Sequence, residues 1–428
     1  EMIAIFMFII LIVFVLLGAP ISMAMAIGAL AAIKYSGLDP VIIPSLISGG
    51  MSNYTLMAIP FFIFLGNIMN SGGITERIFD WCEALVGHMK GSLAQVNVVT
   101  SVVFAAISGT AVANAAGLGM LGVKAMRSKG YDGKFSTGVT VAASLLGPII
   151  PPSVVLLVFG SLSNTSPGKL FMAGLLPGLI LAAALMAQIY FMCATGKVQC
   201  PEPEKFSLKK LITATKRSIF ALLCPVLLFL GVGTGVATAT EVGILGCVYA
   251  IFVSIIYKTF SLKNLIDALK KTITSASSIM FLTGVGSVIA WVMTKEQVPQ
   301  TITNALVGFT SSKYVVLLII LFILLFLGCF MDGTSIQLVM VPVLMPIAAA
   351  FGIDMIHLGV VVALAVTIGA STPPVGVCLF VLSTVTGEPL ENVIAGTKTF
   401  YLPIFIALLF VTFFPPIVTW LPNLLLGA

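Results

Sequence analysis

Residues 108–110 read SGT and residues 332–334 read DGT, and each triplet interrupts a long apolar stretch. A second pair of interruptions follows at a similar spacing: residues 147–152 read GPIIPP, and residues 369–374 read GASTPP. Helix breakers and polar residues are costly at membrane depth, so their duplication requires a physical reason. Paired breaks in corresponding positions of two halves are typical of the substrate and ion site of a secondary transporter.

The chain is far more apolar than a soluble protein. Hydrophobic residues make up 59% and charged residues 8% of the sequence, and the mean hydropathy is +1.17. Soluble domains, in contrast, carry about 25% charged residues. Residues 314–331 carry no charge, and ~20 such residues cross a hydrocarbon core of ~30 Å. We therefore predict an all-α, polytopic membrane protein.

The net charge of +6 is concentrated in clusters. Basic residues in short loops mark the cytoplasmic side of a membrane protein, so the excess indicates topology and not nucleic-acid binding. The three clusters are Lys124, Arg127, Lys129 and Lys134; Lys205, Lys209, Lys210, Lys216 and Arg217; and Lys258, Lys263, Lys270 and Lys271.

The cysteines and histidines predict no metal centre. The seven cysteines form no Cys-x-x-Cys pair and the two histidines are far apart, so we expect neither a disulfide framework nor a zinc site. The first 18 residues lack the basic start and the cleavage site of a signal peptide, and we expect a spanning helix there.

The first half combines ordinary helices with two interrupted elements. Residues 74–86 mix charged and apolar side chains, which predicts an amphipathic helix along the interface. Basic residues flank the stretch 92–121 at both ends, which favours a re-entrant hairpin over a crossing. In chain order we predict helices 2–17 and 21–33, a loop around 39–40, helix 56–69, interfacial helix 74–86, hairpin 92–121, helix 135–160 broken at 147–152, helix 170–193 and a hydrophilic linker 195–217.

The second half repeats this order with opposite flanking charge. No Lys or Arg occurs from residue 331 to residue 397, so we expect the second hairpin to open to the other side of the membrane. In chain order we predict helices 218–232, 240–257 and 275–293, interfacial helix 298–307, hairpin 314–350, a helix broken at 369–374 and a last helix. About ten full crossings, five per half, then place both chain ends outside and the linker in the cytoplasm.

The broken segments have the chemistry of a sodium site. Carbonyl groups at helix C-termini attract cations, helix N-termini attract carboxylates, and hydroxyls add neutral oxygen ligands. The predicted first site consists of Ser108, Gly109, Thr110, Gly147, Ile150 and Pro152. The predicted second site consists of Asp332, Gly333, Thr334, Gly369, Thr372 and Pro374.

Other interpretations of these residues stay open. A single Gly-Thr or Pro-Pro break is usually a kink or a packing contact, although two matched copies favour function. Asp332 is also a candidate proton carrier. Three residues are weaker candidates for substrate contact: Ser153 beside the first break, Glu241, which could instead cap a helix, and Lys295, which could instead extend to the interface.

The chain resembles the large membrane subunit of a tripartite ATP-independent periplasmic (TRAP) transporter. The motifs that carry the resemblance are SGTAVAN at 108–114, the stretch 147–153, the stretch 330–335 and the stretch 369–376. The resemblance implies a multi-pass protein of the bacterial inner membrane that imports an organic acid, such as a C4-dicarboxylate or sialic acid, with two or more sodium ions. It also implies two partners: a periplasmic substrate-binding protein and a small four-helix membrane subunit, which we expect to be a separate chain.

The resemblance further implies an elevator mechanism in which a transport domain moves past a scaffold. The segments are then scaffold and first arm 1–91, first transport half 92–194, cytoplasmic linker 195–217, scaffold and second arm 218–312, and second transport half 313–428. The main alternative is a stand-alone sodium/dicarboxylate carrier without a binding protein. An enzyme is not expected, because the sequence contains no recognisable catalytic or phosphate-binding motif; a purely scaffolding role would leave the duplicated breaks unexplained.

Overall fold

The computed structural model describes residues 2–427, and these residues form helices joined by short loops. The first half contains α1 Met2–Leu16, α2 Ile21–Tyr35, α3 Ile42–Met51, α4 Ala58–Ser71, α5 Ile74–Val86, α6 Ser92–Ser108, α7 Ala111–Leu118, α8 Lys124–Ser128, α9 Gly133–Ser144, α10 Val154–Ser163 and α11 Pro167–Ala194. The second half contains α12 Leu208–Gly233, α13 Ala239–Ile256, α14 Leu262–Lys295, α15 Val298–Phe309, α16 Lys313–Gly328, α17 Gly333–Phe351, α18 Met355–Gly369, α19 Val377–Thr386, α20 Leu390–Lys398, α21 Tyr401–Phe413 and α22 Pro416–Leu426.

Several helices are long and apolar enough to cross a bilayer. Over residues 2–427, six helical segments of 18 to 34 residues meet both requirements, and α20 with α21, bent by 54°, meets them as a pair. These segments are Tyr54–Ser71, Pro167–Ala194, Leu208–Gly233, Ala239–Ile256, Leu262–Lys295 and Gly333–Phe351. The all-helical, multi-pass prediction is therefore confirmed, whereas the ten crossings and their directions stay predictions.

Both predicted hairpins contain a true helix break. α6 ends at Ser108, Gly109 takes a left-handed φ of 65°, and α7 begins two residues later. In the second half α16 ends at Gly328 and Asp332 caps the start of α17. A continuous helix through either triplet is excluded.

The two Pro-Pro motifs also break helices as expected. α9 and α10 are separated by a turn that contains a cis Pro151–Pro152 bond, and α18 and α19 by one that contains a cis Pro373–Pro374 bond. The halves exchange packing partners at these breaks: α7 packs on α19, and α10 packs on α17.

Helices α14 and α4 pack against the broken elements from one side. α14 packs against α2, α3, α4 and α17, and α4 also packs on α13. Helix α5 lies on α12, where the Trp81 indole donates to Thr215 Oγ1 at 3.0 Å and Ser218 Oγ donates to the Arg77 carbonyl at 2.8 Å. The helix predicted at 74–86 is thus present; its position at the membrane interface stays a prediction.

Four details correct the sequence-based account. α3 occupies a region predicted as a loop, because its apolar residues face α14, where Gly284 lies against Ile47 and Met51. α12 begins at Leu208, and α14 at Leu262, well before the predicted starts, since charged residues end an apolar run without ending a helix. Cys193 and Cys200, between which no bond was expected, form a disulfide with 5.8 Å between their Cα atoms.

Candidate substrate and ion site

A cavity of about 510 Å³ lies between the two broken helices, the two hairpin tips and the supporting helices α4 and α14. One wall is formed by hairpin and broken-helix residues, among them Ser108, Thr110, Pro148, Asp332, Gly333 and Thr334. The opposite wall comes from α4 and α14 and is formed by Ile63, Gly66, Asn67, Asn70, Lys271, Ser275 and Ile279. The duplicated motifs of both halves therefore meet at one place.

Four helix N-termini border this cavity. The first residues of α7, α10, α17 and α19 are among its lining residues. Each helix N-terminus presents backbone N–H groups and carries about half a positive charge. The start of α17 already holds the Asp332 carboxylate, which accepts from two of its amides, so the N-termini of α7, α10 and α19 are the ones that favour a cargo carboxylate in the cavity.

The first hairpin tip is fitted closely to the first broken helix. The Val154 amide donates to the Gly109 carbonyl at 3.1 Å, and a methyl group on Gly109 would lie 2.9 Å from the Pro152 carbonyl oxygen. A methyl group on Gly147 would lie 2.6 Å from the Thr110 carbonyl oxygen. Only glycine permits these approaches, in which the backbone of the tip lies directly against the backbone of the break.

Ser108 supplies a further oxygen at this position. Its side chain is 4% exposed, and its Oγ has no hydrogen-bond partner among the described residues. Thr110 differs, because its Oγ1 accepts from the Ala113 amide at 3.2 Å and caps α7. A buried hydroxyl without a partner is expensive in an apolar interior, and a bound cation would supply the missing interaction.

The remaining residues of the predicted first site have mixed surroundings. Ile150 is buried, and its side chain contacts Gly178 on α11, so its backbone alone could serve a cation. Pro152 has no amide hydrogen, and its carbonyl oxygen points to the Gly109 tip. The structure therefore brings Gly109 and Pro152 together and leaves the side chain of Ile150 in the core.

The second tip is organised by Asp332. Its Oδ2 accepts from the amides of Thr334 at 3.0 Å and Ser335 at 3.1 Å, and its Oδ1 accepts from Ser335 Oγ. The carboxylate thus caps α17 while it lines the cavity. A carboxylate has about four lone-pair positions, so the cap leaves capacity for a cation.

The second break is held against the same tip. Gly369 packs on Gly328, where a methyl group on Gly369 would lie 2.5 Å from the Gly328 Cα, and the Gly376 amide donates to the Cys329 carbonyl at 3.1 Å. Thr372 Oγ1 donates to the Ile368 carbonyl at 2.8 Å, and Pro374 is exposed. Gly333 lies against Val366 of α18, the helix that ends at Gly369. Pro374 is not among the residues that line the cavity.

The three weaker substrate candidates do not line this cavity. Ser153 is fully buried and caps α10, where its Oγ accepts from the Leu156 amide and donates to the Pro148 carbonyl. Glu241 forms a capping box with Thr238 at the start of α13. Lys295 lies over the Trp291 ring, 5.4 Å from its centre, at the far end of α14.

Sequence reasoning missed the wall formed by α4 and α14. Asn67, Asn70, Lys271 and Ser275 face the cavity, and Lys271 had been assigned only to a basic cytoplasmic cluster. The spacing of Lys271, Ser275 and Ile279 places them on one helix face and was the available signal. Within the described residues no cluster of three or more His, Cys, Asp or Glu side chains could hold a metal ion.

Comparisons with known proteins identify the family and the fold. The family model described as "Tripartite ATP-independent periplasmic transporter, DctM component" matches residues 8–417. The sialic acid TRAP transporter large permease SiaM of Vibrio cholerae is 40% identical over 381 residues, which cover 89% of this chain and 88% of SiaM. The C4-dicarboxylate TRAP transporter large permease DctM of Pseudomonas aeruginosa is 37% identical over 376 residues, 87% of each chain. The YdaH transporter of Alcanivorax borkumensis shares the fold at a TM-score of 0.60, with 14% identity over 89% of this chain and 91% of YdaH.

Proposed function

The chain belongs to the DctM family of tripartite ATP-independent periplasmic transporters, and we propose that it imports an organic acid by sodium symport across a bacterial inner membrane. The observation that carries this proposal is the convergence of four helix N-termini and two glycine-packed backbone breaks on one cavity. Helix N-termini suit the carboxylate of the cargo, and the oxygens near the breaks suit sodium. The named relatives transport sialic acid or C4-dicarboxylates, and both are carboxylates.

Twelve residues are proposed to hold two or more sodium ions. The first set is Ser108, Gly109, Thr110, Gly147, Ile150 and Pro152, and the second is Asp332, Gly333, Thr334, Gly369, Thr372 and Pro374. The unpartnered Ser108 Oγ supports the first set, and the cavity-lining carboxylate of Asp332 supports the second. Neutral oxygens dominate the first and an acidic group the second, so the two sites are expected to differ in sodium affinity.

The direction of transport follows from charge. The membrane potential contributes about 2.3 kcal/mol per charge per 100 mV. Two sodium ions moving with one monoanion carry a net positive charge inward, so the potential and the sodium gradient both favour uptake. Tips without sodium would carry uncompensated polar groups, which resist movement through the apolar environment.

We assign the hairpins and broken helices to a moving transport domain and α4 and α14 to a scaffold. The cavity lies between these two groups, and α5 and α15 would act as the arms that join them. The partners would be a small four-helix membrane subunit and a periplasmic binding protein that delivers the acid. The basic ends of α12 and α14 support a cytoplasmic location for those ends, by the positive-inside rule.

The decisive experiment is uptake by proteoliposomes that contain this chain, its small subunit and candidate binding proteins. Radiolabelled sialic acid and succinate are the two cargo probes, and an inward sodium gradient, a proton gradient or a potential alone is the driving force. We expect the uptake of both probes to require sodium. Uptake of sialic acid, a monoanion, should increase with an inside-negative potential, whereas two sodium ions moving with the succinate dianion carry no net charge, so succinate uptake should respond to the potential only if a third sodium ion moves with it. Uptake driven by protons without sodium would overturn the choice of ion, and full uptake without a binding protein would favour the stand-alone carrier.

The site assignment is tested in the same vesicles. The variants are Ser108→Ala combined with Thr110→Ala, and Asp332→Ala; Ser163→Ala is the matched control, because Ser163 is equally buried but donates to the Phe159 carbonyl at 2.7 Å. We expect both site variants to lose sodium-dependent uptake and the control to retain it. Unchanged sodium dependence in both site variants would overturn the assignment.

A further inference from the structure

We infer that Lys271 is a specificity-determining residue that attracts the carboxylate of the cargo to the α14 wall of the cavity. This inference rests on the proposed function, because it needs an organic anion as cargo. It adds a cationic contact on the supporting helices, opposite the helix N-termini. None of the twelve proposed sodium ligands is involved.

The geometry places Lys271 on the cavity wall. Lys271, Ser275 and Ile279 follow one another at four-residue spacing and line the same cavity from α14. Among the described residues that line this cavity, Lys271 is the basic one and Asp332 the acidic one. The Asp332 carboxylate accepts from amides at the start of α17, and the Lys271 ammonium is the full positive charge among these lining residues.

The neighbouring position on α14 is fixed by a hydrogen bond. Asn67 Nδ2 of α4 donates to Thr272 Oγ1 at 3.0 Å, and Thr272 is buried. This bond sets the rotation of α14 against α4 one residue after Lys271. Thr272 therefore faces α4, while residue 271, one position earlier, lines the cavity.

The position of Lys271 along α14 suits a role at one end of the cavity. It lies nine residues after Leu262, which is about 14 Å along a helix. Ser275 lies one turn deeper, and the basic residues Lys263 and Lys270 lie towards the same end as Lys271. By the positive-inside rule this end is cytoplasmic, so Lys271 stands where an imported anion leaves the helix N-termini.

The physical consequence is a competition for the carboxylate. Helix N-termini each present about half a charge distributed over several N–H groups, whereas a lysine presents one mobile ammonium on a flexible stem. When an anion leaves the helix N-termini and binds the Lys271 ammonium, an ion pair at the end of the cavity replaces its interactions with the helix dipoles. This lowers the cost of removing the anion from the N-termini and disfavours cargo without a negative charge.

A role of Lys271 in membrane topology alone predicts a different result. Lys271 could contribute only to the basic cytoplasmic cluster that sets topology, in which case its neighbour Lys270 would be equivalent. Both residues are exposed and on the same helix, but only Lys271 lines the cavity. Successive helix positions are rotated by about 100°, because a turn has 3.6 residues. Lys270 is therefore the matched control.

The first test measures the charge of the cavity without any cargo. Ser275→Cys is introduced, and its reaction rates with a sulfonate-bearing and a trimethylammonium-bearing methanethiosulfonate are compared; the chain with Ser275 intact gives the background of native thiols. Side chains one turn apart lie ~6 Å from each other. At that distance in water, one charge changes each rate about threefold and the ratio of the two rates about tenfold.

We expect Lys271→Gln to lower the sulfonate-to-ammonium rate ratio by about tenfold, and Lys270→Gln to lower it by less than about twofold. Lys271→Arg should keep the wild-type ratio. An unchanged ratio in Lys271→Gln, or an equal loss in Lys270→Gln, would overturn the inference. These outcomes do not depend on sodium, on the small subunit or on the identity of the cargo.

The second test measures cargo selectivity in the proteoliposome assay. We expect Lys271→Gln to raise the KM for sialic acid or succinate by about 3- to 10-fold, with an unchanged sodium concentration for half-maximal uptake. Lys271→Arg should restore the KM, and Lys270→Gln should leave it unchanged. A wild-type KM in Lys271→Gln overturns the inference. If the wild type shows no sodium-dependent uptake of either probe, the proposed function fails, and the rate-ratio measurement still decides the role of Lys271.

Discussion

Replacing Gly147 by alanine should detach the first hairpin tip from the first broken helix. The added methyl group would lie 2.6 Å from the Thr110 carbonyl oxygen, and ordinary contact begins at 3.4 Å, so the two backbones must separate by about 0.8 Å. Metal-site distances tolerate only about 0.2 Å. The Thr110 carbonyl, one of the proposed sodium ligands, would therefore move out of range.

The expected loss has two measurable parts. Overpacking of a dense interior costs about 1–3 kcal/mol, which should lower the thermal unfolding temperature of the purified protein. Loss of one ligand should raise the sodium concentration for half-maximal uptake by about tenfold or more, which corresponds to about 1.4 kcal/mol. The assay is a sodium titration of uptake at fixed cargo concentration, with thermal unfolding measured in the presence and absence of sodium.

Gly308→Ala is the matched control. Gly308 lies within α15, and a methyl group there would meet nothing within 4 Å. Alanine at an unobstructed helical position is neutral or stabilising by up to about 1 kcal/mol, so sodium dependence should be unchanged. A folded Gly147→Ala protein that responds to sodium at the wild-type concentration would refute the proposal that the Gly147–Thr110 approach builds a cation site.

Three further substitutions have separate expected outcomes. Asp332→Asn should keep the cap of α17, because Asn is a good N-cap residue, yet weaken sodium activation by about tenfold or more through loss of the charge; equal sodium titration curves for the variant and the wild type would contradict this. Arg127→Ala should lower the free energy of unfolding by about 1–3 kcal/mol, because it leaves the buried Glu388 carboxylate without its ion-pair partner. Adding Glu388→Gln to this variant should recover part of the loss. A double variant that is no more stable than Arg127→Ala alone would contradict the prediction. Glu241→Ala should lower the unfolding temperature by removing the capping box with Thr238 while the KM for cargo stays at its wild-type value, and a raised KM would return Glu241 to the substrate site.

The sequence predicts the helix breaks well because breaks have a local cause. Gly109 needs a left-handed φ, Pro151 and Pro152 cannot continue a helix, and Asp332 is a preferred N-cap residue. These requirements are independent of the rest of the fold. The breaks at 108–110, 147–152, 332–334 and 369–374 therefore lie where the sequence predicts them.

The cavity wall formed by α4 and α14 could not be found in the same way. Lys271 and Asn67 line the same cavity only because two helices far apart in the chain pack side by side, as the hydrogen bond between Asn67 and Thr272 shows. The pattern of charge and hydropathy assigns Lys271 to the cytoplasmic end of the helix, but it does not show that the side chain also lines the cavity. The start of α14 at Leu262 was not predicted either, because the apolar run from which the helix was predicted begins later than the helix itself.

The exchange of packing partners between the halves constrains how any cargo could move. α7 of the first half packs on α19 of the second, and α10 of the first half packs on α17 of the second, so each helix N-terminus at the cavity is supported by the opposite half. A displacement of one tip alone would separate these pairs and expose the buried Leu382 and Cys378 of α19. Because burying such side chains contributes about 1.5–3 kcal/mol each, the four N-termini are held together as one unit. Under the proposed function, an anion bound between these N-termini must then move together with both hairpins. The hairpins would slide along the surface that faces α4 and α14.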